Sequence, residues 1–468
     1  MRASRTQNGL ALLAVVLAWF ASACSAGYAG RFDDVRRSLE RRDLGAANAR
    51  IDAMLAKAGS GDTDYAADVP LLLLERASLR QAAGNHAAAT ADFVEVDPML
   101  EVLDLTPDGA SKAAEYLFTD DAGLYRPPVY EKLMVNVCSM ASFLAQNDVQ
   151  GALVESRRLN VLLSYFANTK LAQHPMLGAV DYLVGLTNEV AGNLEEAVRY
   201  YIDAAALTPN LHIDEDIVRI GAQTRLAHSS AVGEAEGRLN GATLPPLGEG
   251  SGEVIAVLFS GLPPYRVAER FPVGMVVNAF RGDPNYPMTD KQQSDLAMAT
   301  AEDALTWVNY PVLHAMANAR PAFALTTSGA LQASSWELAN VEGFAMDQWA
   351  EDQPGIAWSA LTRTLTRVVA REVIQGTGRA LDNQKGGGAV SGIFWLLGLV
   401  TQATMQAMDT PDTRTWGTMP AHISIARLRV PAGEHDVEVR SQAGAGVQRV
   451  HVEVAPGQRR VVVVRYLQ

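Results

Sequence analysis

The spacing of apolar residues divides the chain into two regions. From about residue 33 to residue 228 they recur at helical spacing in sequence rich in Ala and Leu, which predicts an all-helical region. A continuous apolar run, Val254–Phe259, follows and ends near Gly261, as expected of a buried strand. Towards the C-terminus four segments alternate between apolar and polar residues and predict four strands that form an antiparallel β meander or half of a β-sandwich. These segments cover residues 423–430, 435–440, 447–454 and 461–464.

Within the helical region, the segment around Gly192 has the spacing of a helix pair. Gly192 supplies the turn between two helices, and Ala197 is the small residue at their contact. Tyr201 fills the space between the helices, Pro209 ends the second one, and Gly185 fits the small position on the first. The pattern resembles the second half of a tetratricopeptide repeat, with a non-repeating helical bundle as the alternative. Weaker copies begin at Asp43, Gly84 and Asn147.

These patterns predict a multi-domain α+β protein. An N-terminal all-α, tetratricopeptide-like helical solenoid is followed by a mixed α/β domain that ends in the meander. Because solenoid contacts are local, we expect the helical half to fold on its own. The predicted divisions are a signal peptide at 1–23, a helical repeat domain at 24–230, a linker at 231–252, a mixed α/β domain at 253–385, an apolar helix at 386–408 and a C-terminal β-strand region at 409–468.

The first 24 residues have the pattern of an export signal. Arg2 and Arg5 precede the apolar run Leu10–Ala18, and small residues then lead to Cys24. This arrangement resembles a bacterial lipobox, in which the cysteine is acylated; ordinary secretion is the alternative. Several acyl chains would anchor the protein stably to a membrane. The lipobox resemblance and Ser25 together imply an outer-membrane lipoprotein that faces the periplasm.

Charge and apolar content limit the partners further. A net charge of −13 argues against nucleic acid, since phosphate binding needs a basic face. With Cys24 acylated, Cys138 has no disulfide partner. The uncharged segment Gly386–Met408 is long enough to span a bilayer, but polar residues interrupt it. We therefore expect a buried or bilayer-touching helix there, with a pore-associated span as the alternative.

The sequence shows little local chemistry. The histidines are scattered, and none forms a His-Glu-x-x-His pair. The acidic segment His212–Asp216 follows a proline and is typical of the first turn of a helix, where carboxylates suit the helix dipole. No Gly-x-Ser-x-Gly elbow is present. We therefore expect no catalytic residues, no metal and no cofactor.

Two short patches are not explained by helix or strand formation alone. The first is Tyr130-Glu131-Lys132, which follows two prolines, and the second is Asp412-Thr413-Arg414-Thr415-Trp416. Together with the segment Glu253–Pro264, they resemble motifs of a largely uncharacterised family of bacterial repeat-containing envelope lipoproteins. The resemblance spans most of the mature chain and implies an envelope role without catalytic residues. Candidate partner-binding residues from these patches are Tyr130, Glu131, Lys132, Asp412, Arg414 and Trp416.

The predicted function is that of a non-catalytic scaffold or adaptor. Solenoids present concave surfaces to partners, and Tyr182, Leu186 and Glu189 would line that surface in the best repeat. The partner would be another cell-envelope protein in assembly, secretion or wall synthesis, and the membrane would be reached through the N-terminal lipid. The alternative is an envelope enzyme whose site is dispersed over the C-terminal region.

Overall fold

The computed structural model describes residues 28–100, 124–240, 250–280, 307–316, 322–327, 331–385, 411–442 and 446–467, together with positions 247, 290, 293 and 318. Side chains at Asp64 and over 365–385 are not described. The predicted signal peptide, Cys24 and the apolar segment 386–408 lie outside these residues. Among the described residues, the protein is a mixture of helices and sheets, as the α+β prediction requires.

The helical region consists of helices joined by tight turns. In chain order they are α1 Tyr28–Glu40, α2 Leu44–Gly59, α3 Thr63–Ala66, α4 Val69–Ala82, α5 His86–Val96, α6 Val129–Ala145, α7 Val149–Phe166, α8 Pro175–Val190, α9 Leu194–Leu207, α10 Leu211–Gly221 and α11 Ser230–Arg238. A 3-10 helix, Asp97–Leu100, continues α5. The pairs α1/α2, α4/α5, α6/α7 and α8/α9 pack as hairpins.

The turns of these four hairpins share one geometry. A residue with positive φ follows the first helix, and an Asp or Asn then occupies the N-cap position of the second helix, where the side chains of Asp43, Asn85 and Asp148 accept a capping hydrogen bond. The positive-φ residues are Arg42, Gly84, Asn147 and Gly192. The predicted turns at Gly84, Asn147 and Gly192 are therefore confirmed. The turns are unequally spaced along the chain, so they do not establish the regular array of about 34 residues per unit that defines tetratricopeptide repeats.

The small-residue positions of the hairpins are confirmed as well. An alanine four residues after each N-cap is fully buried, at Ala47, Ala89, Ala152 and Ala197. In the best repeat, a Cβ added at Gly185 would lie 2.8 Å from the ring of Tyr201. The helices can approach this closely only because these positions are small.

The strands are β1 Ser251–Ser260, β2 Tyr265–Pro272, β3 Trp307–His314, β4 Phe323–Thr327, β5 Gln332–Ser334, β6 Trp336–Asn340, β7 His422–Pro431, β8 Gly433–Ser441, β9 Val447–Val454 and β10 Arg459–Tyr466. They form a sheet in the order β10-β1-β7-β6, a second sheet in the order β5-β4-β8-β9, and the pair β2-β3. The strand at the predicted apolar run is confirmed as β1.

The four C-terminal strands are present, but the predicted meander is wrong. β7 and β10 flank β1 in the first sheet, with β10 parallel to β1, whereas β8 and β9 form a hairpin in the second sheet. The chain changes sheets between β7 and β8, at Pro431–Gly433. β1 is buried on both faces, so its backbone needs hydrogen-bond partners at both edges, and these strands supply them.

The first sheet is the middle layer of the protein. One face of β1, with Ile255, Val257 and Phe259, shares a core with the helices. The opposite face, with Val254 and Leu258, packs on the second sheet. The helical region and the β region are therefore joined by one continuous core, and the expectation that the helical half folds on its own is not supported by this arrangement.

Two predicted boundaries need correction. Helix α11 occupies the first part of the predicted linker 231–252, and β1 begins at Ser251. The regions 253–385 and 409–468 are not separate units, because β1, β4 and β6 from the former pair with β7, β8 and β10 from the latter. Alternation within a strand shows which face is buried, but it does not identify the partner strand.

A smaller unit lies beside these layers. The pair β2-β3 packs with α12, Val273–Phe280, and with the start of the long helix α13, Val341–Lys385, around Trp349 and Ile356. Within the described residues, no helix combines the length and apolar character needed to cross a bilayer.

Candidate functional site

The predicted concave-surface residues lie in the interior of the protein. Tyr182, Leu186 and Glu189 are at most 1% exposed, because the first sheet covers this face of α8. The ring of Tyr182 packs edge-on against Trp336 of β6, with 5.4 Å between centroids. The surface that these residues would offer to a partner is therefore occupied by the protein's own sheet.

Glu189 is part of a buried cluster that joins the helices to the first sheet. Its carboxylate lies 2.9 Å from Arg219 of α10, 2.7 Å from Arg427 of β7 and 2.6 Å from Arg459 of β10. We call the whole set the carboxylate–arginine cluster. Its members are Glu189, Asp216, Arg219, Glu253, Arg427 and Arg459. Three carboxylates thus face three guanidinium groups.

The electrostatics of Glu189 follow from this surrounding. Burial raises the pKa of its carboxyl group, but Arg427, Arg219 and Arg459 outweigh burial and hold the pKa well below its usual range. The hydroxyl of Tyr201 donates a further hydrogen bond to the carboxylate at 2.5 Å. The group is therefore ionised and fully engaged, which is the state of a structural ion cluster rather than of a proton donor.

The two short patches singled out in the sequence, 130–132 and 412–416, come together at a second junction, except for Lys132. The backbone amide of Trp416 donates to Glu131 at 3.4 Å, and the hydroxyl of Tyr130 lies 3.4 Å from the same carboxylate oxygen. Lys132 faces away from this junction and pairs with Asp97 at 2.5 Å. The structure thus brings Tyr130 and Glu131 to the segment 412–416 but places Lys132 elsewhere.

Arg414 ties this segment to the helices. Its guanidinium forms a bidentate pair with Asp412, at 2.9 and 2.7 Å, and reaches Asp68 before α4 at 3.2 Å. Arg31 of α1 contacts the other oxygen of Asp68. Burial lowers the pKa of Arg414, but the two carboxylates outweigh burial and raise it, so the group remains charged.

Glu75 lies directly below the same segment. Its carboxylate accepts hydrogen bonds from the amide of Gly417, from the hydroxyl of Thr418 and from the hydroxyl of Tyr28, at 2.6, 2.5 and 3.3 Å. Burial nevertheless raises the pKa of Glu75 from 4.5 to about 7. Sequence reasoning missed Glu75, although a lone acid inside the apolar helix α4 was an available signal.

A cavity of about 810 Å³ opens beside this junction. Its walls are α1, the loop after β1, the first two residues of β2, Met316 after β3, the segment 413–417 and Leu467 after β10. We call it the α1 cavity. The apolar side chains in its wall are Phe32, Leu39, Leu262, Pro263, Pro264, Met316 and Leu467. The volume falls within the range of small-molecule sites, roughly 300–1,000 Å³.

The loop after β1 is fixed in place. Gly261 has a positive φ of 76°, and a Cβ there would lie 2.8 Å from Asn318. The Asn318 amide accepts from the backbone of Leu262 at 3.0 Å and donates to its carbonyl at 2.7 Å. Asn318 is held in turn by a hydrogen bond of 3.0 Å that its side-chain amide donates to the carboxylate of Glu342. The cavity wall is therefore pre-formed.

Arg266 is the buried cation of the α1 cavity. It is 7% exposed, packs against the ring of Trp349 and donates from Nη1 to the carbonyl of Arg414 at 3.1 Å. Within the described part of the chain, its Nε and Nη2 make no well-formed hydrogen bond, although the Tyr130 hydroxyl lies beside the guanidinium. Burial lowers the pKa of Arg266, but Tyr130, Tyr125 and Glu131 outweigh it, so the guanidinium remains charged. Sequence reasoning missed Arg266, which carried no motif signal.

Among the described residues, no group of three His, Cys, Asp or Glu side chains could hold a metal ion. The acidic segment at His212 lies in the first turn of α10, as predicted, and His212 is 3.2 Å from Glu215.

Comparisons with known proteins add no family. A scan against protein-family models, a search of curated proteins and a search of solved structures each found no match.

Glu75 gives the junction a pH dependence. Because its pKa is raised on folding, the folded state holds more protons than the unfolded state between about pH 4.5 and 7, and stability falls as the pH rises through this window. We expect Glu75→Gln to remove this loss, which is at most about 3 kcal/mol. Urea unfolding at pH 5 and pH 8 measures it, with exposed Glu95→Gln as the control. Equal pH dependence in Glu75→Gln and the native protein would contradict the assignment.

Proposed function

We propose that this protein is a non-catalytic binding protein of the bacterial cell envelope, anchored through an acylated Cys24. Its helical hairpins form a tetratricopeptide-like groove, most of which is filled by the protein's own first sheet. The groove remains open beside α1, where the α1 cavity lies. The single observation that carries the proposal is this pre-formed, largely apolar cavity. The proposed binding surface is therefore the α1 cavity and not the face of α8 that the sequence suggested.

The state of the two buried acids beside the cavity, Glu75 and Glu131, supports binding rather than catalysis. Glu75 is the carboxyl group below the cavity floor, and its oxygens already accept three hydrogen bonds. Glu131 likewise accepts from Tyr125 and from the Trp416 amide. A general base needs a free oxygen within reach of substrate, and these carboxylates instead hold the segment 416–418 in place.

Site-specific photo-crosslinking in intact envelopes tests the proposal. Ala29 is exposed and lines the cavity, whereas Ala49 is exposed on α2 and does not. We expect a photoreactive side chain at position 29 to give a discrete adduct, of protein or of lipid, and the same side chain at position 49 to give none. A Cys24→Ser version should leave the membrane fraction. Equal labelling from both positions would refute the binding role of the cavity.

A further inference from the structure

The α1 cavity combines an apolar wall with one buried cation. Several side chains at its opening remain exposed although they are apolar, notably Tyr265 at 45% and Met316 at 40%. Val267, next along the same face of β2, is 39% exposed. Exposed apolar side chains grouped in this way usually mark an interaction site.

The charge inside the cavity selects the sign of a ligand. The guanidinium of Arg266 is removed from water, and Glu131 and the Tyr130 hydroxyl already act on its charge, but its Nε and Nη2 make no well-formed hydrogen bond within the described residues. A buried cation with incomplete hydrogen bonding is costly, and an incoming anion would supply the missing acceptors. The charged residues at the cavity entrance carry both signs, and Arg36 is already paired with Asp33 at 2.8 Å.

The position of the cavity indicates the source of the ligand. Tyr28, the first residue of α1, lines the cavity and is four residues from Cys24. Four extended residues span at most about 14 Å. An acyl anchor on Cys24 would therefore hold the cavity close to the bilayer surface.

We propose that the α1 cavity binds a single-chain anionic amphiphile drawn from the membrane, with its hydrocarbon chain along the apolar wall and its anionic headgroup at the guanidinium of Arg266. This assignment rests on the proposed binding function and names its ligand class. A carboxylate and a phosphate headgroup both satisfy a guanidinium, so fatty acids and lysophospholipids share the required chemistry.

Calorimetric titration of the full mature chain tests the assignment. The Cys24→Ser variant, which has no acyl chain of its own, is titrated with dodecanoate, dodecyl phosphate, dodecanol and dodecyltrimethylammonium below their micelle concentrations. We expect at least one of the two anions to bind tenfold or more tightly than the alcohol, or about 1.4 kcal/mol, and the cation not to bind. The preferred anion distinguishes a fatty acid from a lysophospholipid source.

Variants locate the site. Arg266→Gln should weaken the preferred anion about tenfold and leave dodecanol unchanged, whereas Arg266→Lys should retain most of the anion affinity. Ala29→Trp should abolish binding of both. Ala49→Trp, exposed on α2, and Arg76→Gln, paired with Asp52 and Asp92 away from the cavity, are the matched controls. If Arg266→Gln does not fold, the headgroup comparison and Ala29→Trp still decide.

Four results would overturn the assignment. Dodecanol binding as tightly as the anions would remove the role of Arg266, and unchanged affinity in Ala29→Trp would place the ligand elsewhere. The acylated protein in nanodiscs could also fail to bind the anions while Cys24→Ser still binds them. That result would show that the protein's own acyl chain fills the cavity. A protein adduct from position 29 would also exclude the amphiphile while leaving the proposed binding function intact.

Discussion

Replacement of Glu189 by alanine is expected to destabilise the protein by about 3–5 kcal/mol, the usual cost of removing one member of a buried ion pair. The carboxylate contacts Arg219, Arg427 and Arg459, which belong to three different elements. Without it, these guanidinium groups are left buried with too few negative partners. Urea unfolding of Glu189→Ala at pH 7 measures the loss.

The control for this prediction is Glu196→Ala, because Glu196 is exposed on α9 and pairs only loosely with Arg199, at 3.6 Å. Glu189 also makes a signed pH prediction. Since folding lowers its pKa, its contribution is present above the usual pKa of about 4.5 and is lost as the pH falls below that value. The native protein should therefore lose stability more steeply in acid than Glu189→Gln does. Equal acid sensitivity would show that the cluster does not hold the layers together.

Replacement of Trp416 by alanine is expected to lower the free energy of unfolding by about 3–5 kcal/mol, as much as Glu189→Ala. The side chain is fully buried, packs edge-on against Phe93 and donates its indole N–H to Ser78 at 3.0 Å. Truncation leaves a cavity between α4, α5 and the segment 412–416, and Ser78 loses its donor. Thermal and urea unfolding measure the effect.

Trp307→Ala is the matched control, because Trp307 is 42% exposed on β3. The stability loss in Trp416→Phe should lie between those of Trp416→Ala and Trp307→Ala. Phenylalanine keeps most of the apolar contact but cannot donate the hydrogen bond. If Trp416→Ala proves no more costly than Trp307→Ala, the patch 412–416 is not a structural junction and a role in partner contact regains support.

The sequence pattern located elements better than it located contacts. Gly84 and Gly192 marked helix turns because a positive φ strongly favours glycine, and the apolar run at β1 marked a strand buried on both faces. The pairing of β10 with β1 left no such signal, because alternation along a strand does not depend on which neighbour it meets. The burial of Tyr182 was missed for a related reason: α8 is apolar nearly all round, which indicates a helix covered on both sides, but the solenoid interpretation left one side open.

The candidate site depended even more on distant contacts. Tyr130, Glu131, Arg414 and Trp416 were singled out as short patches, and the structure brings them together across nearly 300 positions of sequence. Arg266 had no motif and became visible only through its burial and its incomplete hydrogen bonding. A site assembled from several elements has no local spacing, so periodicity and motif arguments cannot find it.

The parallel pairing of β1 with β10 has a consequence for biosynthesis. The helices are made first, yet their inner face is covered by a sheet whose edge strand, β10, emerges some two hundred positions after β1. During synthesis, the apolar helix faces therefore stay uncovered until that strand is made, which leaves them open to aggregation for longer than local helix pairs would be. A chain that is interrupted before β10 cannot complete the middle layer. The native fold can therefore form only after β10 has been made.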